Sequence, residues 1–361
     1  MSVAHENARR IISDILGKQN IERVWFVGCG GSLTGFWPGK YFLDCEASKL
    51  AVGYITSNEF VHATPKALGK NSVVILASQQ GNTAETVAAA RVAREKGAAT
   101  IGLVYQPDTP LCEYSDYIIE YQWARYPETV APAQQKAAYS LWLALEILAQ
   151  TEGYAQYDEL VSAFGRFSDV VHGAQRQVQE DAQRFAAEWK DEKVVYMMGS
   201  GPSFGAAHQE SICILLEMQW INSASIHSGE YFHGPFEITE PGTPFILLQS
   251  SGRTRPLDDR AIRFIERYQG KLQLIDADKL GIQDLSTDVG EYFCGLLHNC
   301  VLDVYNLALA TARNHPLTTR RYMWKVEINS YAGWRLRFIQ PTKRSVGLIS
   351  VAPSGLSSAG R

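Results

Sequence analysis

The sequence predicts an α/β protein built from two doubly wound parallel sheets in tandem. Three observations point there. Short β-branched runs alternate with segments of helical period from Val24 to Val104, the order that a parallel sheet with crossover helices requires. A glycine-rich turn follows a strand run twice, at Gly28-Cys29-Gly30-Gly31-Ser32 and at Gly199-Ser200-Gly201-Pro202-Ser203. The strand–turn–helix order restarts near Val194 and repeats the first half at coarse grain, which marks an internal duplication.

In chain order, Ala8, Ile11, Ile12, Ile15 and Leu16 recur at helical spacing and predict an amphipathic lead helix over residues 6–18. Val24–Val27 reads as the first strand and Leu33–Cys45 as the helix after its glycine turn. Strands are expected at Ala51–Thr56, Val73–Ala77 and Ile101–Val104, with a helix from Ala84 to Lys96 that Gly97 terminates. Residues 117–121 read as an edge strand and Ala133–Gln150 as a closing helix. Leu160–Trp189 is charged, amphipathic and almost free of Gly and Pro, so one long helix should join two domains. Beyond it, strands are expected at Val194–Met198, Ser223–Ile226, Phe245–Leu248 and Leu272–Ile275. Helices should cover Phe204–Met218, Leu257–Tyr268 and a last segment over 287–313. The partition is 18–157, a linking helix over 158–190, and 191–327. Residues 328–361 lack a sustained period and read as an appendage outside the fold.

Composition excludes several classes of protein. The 361 residues are 46% hydrophobic and 20% charged, as in an ordinary globular protein of two domains. A net charge of −4 and a pI of about 6.1 give no global pull toward nucleic acid or anionic membrane. No run is expected to reach the ~20 apolar residues of a membrane span, and MSVAHENARR has no apolar signal core. The six cysteines form no C-x-x-C pair, which argues for reduced thiols in a cytoplasmic setting, with neither a disulfide framework nor a zinc site. No metal or cofactor is expected.

Two groups of residues carry candidate chemistry. Gly30, Gly31 and Ser32 follow the first strand, and Ser78, Gln79 and Thr83 follow the third. In a doubly wound sheet ligands bind beyond the carboxyl ends of the strands. Hydroxyls, an amide and free backbone donors at a helix start suit a sugar phosphate. Ser78 and Thr83 also suit capping of the next helix, and the two roles share the same N–H groups. The loop at Gln249–Thr254 occupies the matching place in the second half with weaker chemistry, and no second ligand site is expected. The other group is Glu217, set in an apolar run, and His233, in the shaped loop Gly229-Glu230-Tyr231-Phe232-His233-Gly234-Pro235. A carboxylate that takes a proton from carbon and an imidazole that serves oxygen would form a proton-transfer pair. Glu230 is a further acid, read as structural, and Arg320-Arg321 is read as solvated surface in preference to an anion contact.

Taken together, the turn Cys29-Gly30-Gly31-Ser32, the loop Ser78-Gln79-Gln80-Gly81-Asn82-Thr83 and the pair Glu217…His233-Gly234-Pro235 resemble the sugar isomerase (SIS) family over about residues 20–327. More narrowly they resemble the isomerase half of glucosamine-6-phosphate synthase, in which a Glu sixteen residues before His-Gly-Pro transfers the proton; 217 to 233 has that separation. The resemblance implies two tandem SIS domains, each flavodoxin-like with a doubly wound parallel sheet. It also implies a phosphate held by Gly30, Gly31, Ser32, Ser78, Gln79 and Thr83, catalysis by Glu217 and His233, and homodimers with the active site at the interface. There are departures. Ile214 and Tyr322 stand where the synthase has lysines, the second a Schiff-base former, and Gln80 stands where it has serine. No glutamine-hydrolysing domain is expected ahead of the fold.

The chain is therefore more similar to the fructoselysine and fructose-asparagine 6-phosphate deglycases, and SICILLEMQWINSASIHSGEYFHGPFEIT and HPLTTRRYMWKVE are most similar to the fructose-asparagine type. That implies a phosphorylated sugar–amino acid conjugate as substrate and glucose 6-phosphate and free amino acid as products. A phosphosugar isomerase on the same base is the alternative. A non-catalytic sugar-phosphate sensor is the third reading; sensors of the family carry a helix-turn-helix head, for which residues 1–20 are too short.

Overall fold

The structure is a computed structural model that describes residues 2–123, 131–323 and 325. The expected appendage over 328–361 lies outside the described residues. Strands β1 (Arg23–Gly28), β2 (Ala51–Thr56), β3 (Ser72–Ala77), β4 (Ala99–Val104) and β5 (Tyr117–Glu120) form one parallel sheet in the order β2-β1-β3-β4-β5. Every residue of β3 and β4 is buried. Their near-continuous apolar runs, SVVILA and ATIGLV, are what strands covered on both faces need. β6 (Val194–Gly199), β7 (Asn222–His227), β8 (Pro244–Gln249) and β9 (Lys271–Asp276) form a second parallel sheet in the order β7-β6-β8-β9. The second sheet thus repeats the first four positions of the first.

Helix α1 (Val3–Leu16) precedes the first sheet. After β1 come α2 (Gly31–Thr34) and α3 (Trp37–Glu46), after β2 comes α4 (Ser57–His62), and after β3 comes α5 (Ala84–Glu95). α6 (Pro110–Glu113) follows β4 and α7 (Lys136–Thr151) follows β5. The expected single helix over 33–45 is two helices, broken at Gly35 and Phe36. A side chain at 35 would collide with the stem of Lys136, so glycine lets α7 approach closely. The linking helix is also two, α8 (Tyr157–Gln177) and α9 (Gln179–Trp189), separated at Val178. α4 and α6, one turn or so each, carry too short a period to be read in advance.

In the second half α10 (Phe204–Gln209) runs on as a π-helical segment over Glu210–Gln219, where an ordinary helix was expected. α11 (Arg255–Arg267) follows β8, and α12 (Cys294–Ala312) closes the fold. Contrary to the expectation that no run reaches membrane-spanning length, Gly290–Ala312 does so by length and composition, but 78% of its apolar window is buried inside the protein. It is the core helix of the second half.

One apolar cluster runs from Ala4 through both halves to Leu309. α1 joins it through a buried polar contact. His5 Nε2 meets Glu146 Oε1 of α7 at 2.8 Å, and the His5 ring stacks on Trp142 at 4.5 Å. Tyr157 of α8 donates to the same carboxylate oxygen at 2.5 Å. Large side chains such as Trp142, Phe167 and Phe293 are fully buried in this cluster, each stabilising the fold by about 1.5–3 kcal/mol. The two sheets are thereby held as parts of one packed body, and the second half's helix lies against the first half's turn.

Candidate active site

The order β2-β1-β3 puts a topological switch point between β1 and β3, where the chain leaves in opposite directions from neighbouring strands. The two strands are parallel and in register, Val27 opposite Leu76, so their carboxyl ends open side by side. Gly30, Gly31 and Ser32 leave one end, and Ser78, Gln79 and Thr83 leave the other. Gly30 takes φ +51°, a left-handed conformation that glycine adopts without strain. The N–H groups of Ser32 and Leu33 bond back to Cys29 and Gly30, at 3.0 Å each, which tightens the turn.

On the neighbouring strand, Ser78 is buried and its Oγ meets Thr83 Oγ1 at 2.9 Å. The same Oγ receives the Thr83 N–H at 3.3 Å, and Thr83 is the N-cap of α5. The carbonyl of Gln79 is fixed by the Tyr105 N–H at 3.0 Å. Gly81, at φ +62°, packs on Thr109 so closely that no side chain fits. The first N–H groups of a helix have no intrahelical partner, and α5 begins directly after the Ser78 and Thr83 hydroxyls. The structure therefore brings the six expected ligand-holding residues to one sheet edge.

Glu217 comes to that edge from the other half of the chain. The π-helical segment that carries it lies against the first turn, with Cys213 Sγ 3.5 Å from where a Cβ at Gly31 would stand and 3.9 Å from one at Gly30. Glu217 is about one helical turn beyond Cys213. Two further contacts fix the packing: Thr34 Oγ1 donates to Gln209 Oε1 at 2.8 Å, and Trp37 Nε1 donates to the Gly201 carbonyl at 2.8 Å. The segment ends at Trp220, which takes φ +57° without being glycine, a conformation that costs of order 1 kcal/mol or more. The Ile221 N–H bonds back to the Leu215 carbonyl at 2.9 Å and holds that ending in place. π-helical turns recur at functional sites because they re-aim side chains.

Glu217 Oε1 pairs with Arg320 Nε at 2.8 Å, with the arginine side chain only 7% exposed. Arg320 is thus not solvated surface, contrary to the sequence reading. Its neighbour Arg321 lies over the Trp220 ring at 4.1 Å. Burial raises the Glu217 carboxyl above its ordinary range and outweighs the opposing effect of Arg320. The result is a carboxylate more basic than a solvated one, the property a carbon base needs.

Two more residues, neither singled out from sequence, border the turn. Lys136, the first residue of α7, passes beneath Gly35 and donates from Nζ to the Gly31 carbonyl at 2.5 Å. Burial lowers its pKa to about 8. The Cys213 thiol is pushed up to about 11 by burial and by the charge of Glu217. A lysine opening an otherwise apolar helix was the available signal for Lys136. For Arg320 the signal was the adjacent pair Arg320-Arg321, whose reading as an anion contact ranked below solvated surface.

His233 lies in a different element from Glu217. It stands exposed in the loop after β7, and its backbone N–H bonds to the Glu230 carbonyl at 2.9 Å. No hydrogen bond or ion pair joins the two side chains among the described residues. Glu230 is exposed in the same loop, and Tyr322, the position matched to the Schiff-base lysine, is 68% exposed. Among the described residues no three His, Cys, Asp or Glu side chains gather as a metal would need.

The second sheet has a matching switch point between β6 and β8, and there the chain supplies its own anion. Asp258 of α11 is fully buried and accepts from the Ser250 N–H at 3.0 Å and from Ser250 Oγ at 2.9 Å. Burial holds its carboxyl above the usual range despite these bonds. The cations nearby are paired as well. Arg253 meets Glu291 at 2.6 Å and Glu46 at 3.1 Å, and Arg255 meets Asp276 at 2.8 Å and Asp278 at 2.9 Å. The weaker loop in the second half is weak because its donors are already used.

Comparison with known proteins identifies the family. The SIS domain family matches residues 19–145. The chain is 39% identical over 323 residues to fructosamine deglycase FrlB of Bacillus subtilis (strain 168), covering 90% of this chain and 97% of that one. It is 28% identical over 262 residues to fructoselysine 6-phosphate deglycase of Escherichia coli O157:H7, covering 72% and 74%. A crystal structure from Salmonella typhimurium LT2, designated a candidate phosphosugar isomerase, superposes with a TM-score of 0.90 at 99% identity, covering 91% of this chain and 98% of that one. With a parallel α/β sheet, a hydroxyl-rich switch point and this degree of identity, the chain belongs to the SIS-domain fructosamine deglycases.

Proposed function

We propose that the chain cleaves a 6-phosphorylated Amadori compound, a fructose 6-phosphate joined through C1 to the amine of an amino acid, into glucose 6-phosphate and the free amino acid. The observation that carries this reading is Glu217, a half-buried carboxylate with a raised pKa, on the π-helical segment whose Cys213 lies against the turn that leaves β1. In this reading the backbone donors of Gly30 and Gly31 and the side chains of Ser32, Ser78, Gln79 and Thr83 hold the phosphate at the switch point. Glu217 takes a proton from C1 of the open-chain ketose, leaving an enaminol, and returns it to C2. Water then adds to the C1 imine and the C–N bond breaks. Water's oxygen becomes the aldehyde of glucose 6-phosphate, its protons leave with the amine, and no oxidant or reductant is needed.

His233 would move the proton that opens the sugar ring. Its exposed position suits a site completed when two copies of the chain pair, so the working form is proposed to be a homodimer. The two sheets would be tandem SIS units, 18–157 and 191–327, in a cytoplasmic enzyme. Fructose-asparagine or fructose-aspartate 6-phosphate is the first substrate to test and fructoselysine 6-phosphate the next. A second reading, aldose–ketose isomerisation of a phosphosugar by the same base, is favoured by the designation of the 99% identical structure.

The test is a coupled assay for glucose 6-phosphate with the three conjugates in parallel and fructose 6-phosphate alone as control. Release from one conjugate, lost in Glu217→Gln while ligand binding persists, is the expected result. Turnover of fructose 6-phosphate alone would replace the deglycase with the isomerase. Unimpaired turnover in Glu217→Gln would remove Glu217 from the mechanism.

A further inference from the structure

Lys136 stands where a cation is expensive three times over. Its ammonium is desolvated, it occupies the first residue of α7, where the positive end of the helix dipole opposes it, and no carboxylate pairs with it among the described residues. Its polar neighbours are the Gly31 carbonyl at 2.5 Å, the Tyr121 ring at 5.9 Å and the Cys213 thiol. A carbonyl takes one of its three N–H donors and offsets little of the charge. The second half makes the contrast: the arginines of the matching loop, Arg253 and Arg255, are each held by two carboxylates. Unpaired buried charge is retained where something else brings the countercharge. The turn beside Lys136 is the one that opens on the switch point, and the proposed ligand-holding residues there are all neutral.

We propose that Lys136 is a substrate-binding residue whose ammonium, anchored on the Gly31 carbonyl at the edge of the β1 turn, receives an oxyanion of the ligand. The oxyanion is the phosphate or the carboxylate of the amino acid. This rests on the phosphosugar reading of the site, and the experiment separates the two. Binding to the full chain is measured by calorimetry for glucose 6-phosphate, glucose, inorganic phosphate and unphosphorylated fructosyl-asparagine, with wild type, Lys136→Gln, Lys136→Met and the exposed-lysine control Lys96→Met. Gln keeps an N–H for the Gly31 carbonyl and drops the charge; Met drops both.

A charge-assisted contact predicts affinity for the anionic ligand lower by roughly 10- to 100-fold in both Lys136 variants. Thermal stability should be unchanged or raised, because an unfavourable buried charge is gone. Weakening confined to glucose 6-phosphate and phosphate assigns the phosphate, and weakening confined to fructosyl-asparagine assigns the carboxylate. Wild-type affinity for every ligand in Lys136→Gln overturns the proposal and leaves the lysine a structural donor to Gly31. So does a fall in affinity for glucose that matches the fall for the anions. If wild type itself binds neither glucose 6-phosphate nor phosphate, the phosphosugar reading fails first and takes this one with it.

Discussion

Glu217 has to be ionised and poorly solvated at once, and Arg320 sets the balance. Burial raises its pKa and the arginine lowers it. Removing the arginine leaves burial unopposed, so in Arg320→Met the carboxyl pKa rises further. A base works only when deprotonated, so activity falls as pH drops through that pKa. The acid limb of kcat/KM against pH is therefore expected to lie above the ordinary carboxylate range in wild type and higher still in Arg320→Met. An acid limb that stays put or moves to lower pH would show that Glu217 is not the group being titrated. This pairing was not legible in the sequence. The partners are 103 positions apart (320 − 217), and neither a periodicity nor a motif links them. A pair of adjacent arginines after the last helix looks like surface until the chain is folded, and then only one of the two is.

The segment Glu210–Gln219 delivers Glu217 to the first turn. Its apolar run was legible, and so was the cost of placing Glu217 in it; its π-helical winding was not, because hydrophobic spacing over ten residues does not separate 3.6 from a wider turn. The same segment opens on Glu210, which is buried and accepts from Asn306 Nδ2 at 3.0 Å. Burial raises its pKa from 4.5 to about 8. The folded state thus binds this proton more tightly than the unfolded chain, and the resulting stability is complete below about pH 4.5, declines as pH rises, and is lost above about 8. Glu210→Gln keeps an acceptor for Asn306 and removes the titration. It should stabilise the protein on the order of 5 kcal/mol at pH 9 and have little effect at pH 4. Chemical denaturation at the two pH values tests this; equal effects at both would mean that the acid is not neutral in the fold.

Across the whole molecule, the duplication was the most legible feature, since alternation of strand runs, glycine turns and helices survives in each half independently of how the halves pack. The use made of the two switch points was less so. Ser78 and Ser250 look alike in sequence, and what separates them is Asp258, eight residues after the second serine and buried only once α11 has folded over it. Removing that carboxylate in Asp258→Ala should cost about 1–3 kcal/mol, because the Ser250 N–H and Oγ lose their acceptor. Inorganic phosphate should recover part of the loss and raise the melting temperature of the variant more than that of wild type. An equal phosphate shift in the two proteins would contradict the view that the second turn keeps the donors of an anion site. The position of His233 also belongs to this scale. Its spacing from Glu217 was readable, but spacing along a chain says nothing about meeting in space, and within one chain the loop after β7 leaves it exposed.

Whether Glu217 moves a proton from C1 to C2 before the C–N bond breaks can be read from a conjugate carrying two deuterium atoms at C1. The expected product is glucose 6-phosphate with a single deuterium left at C1, the other having moved to C2 or exchanged with solvent, and Glu217→Gln should give no product. Fructose 6-phosphate retaining both deuterium atoms would mean that the amine is displaced without any proton leaving C1, and that Glu217 is no carbon base.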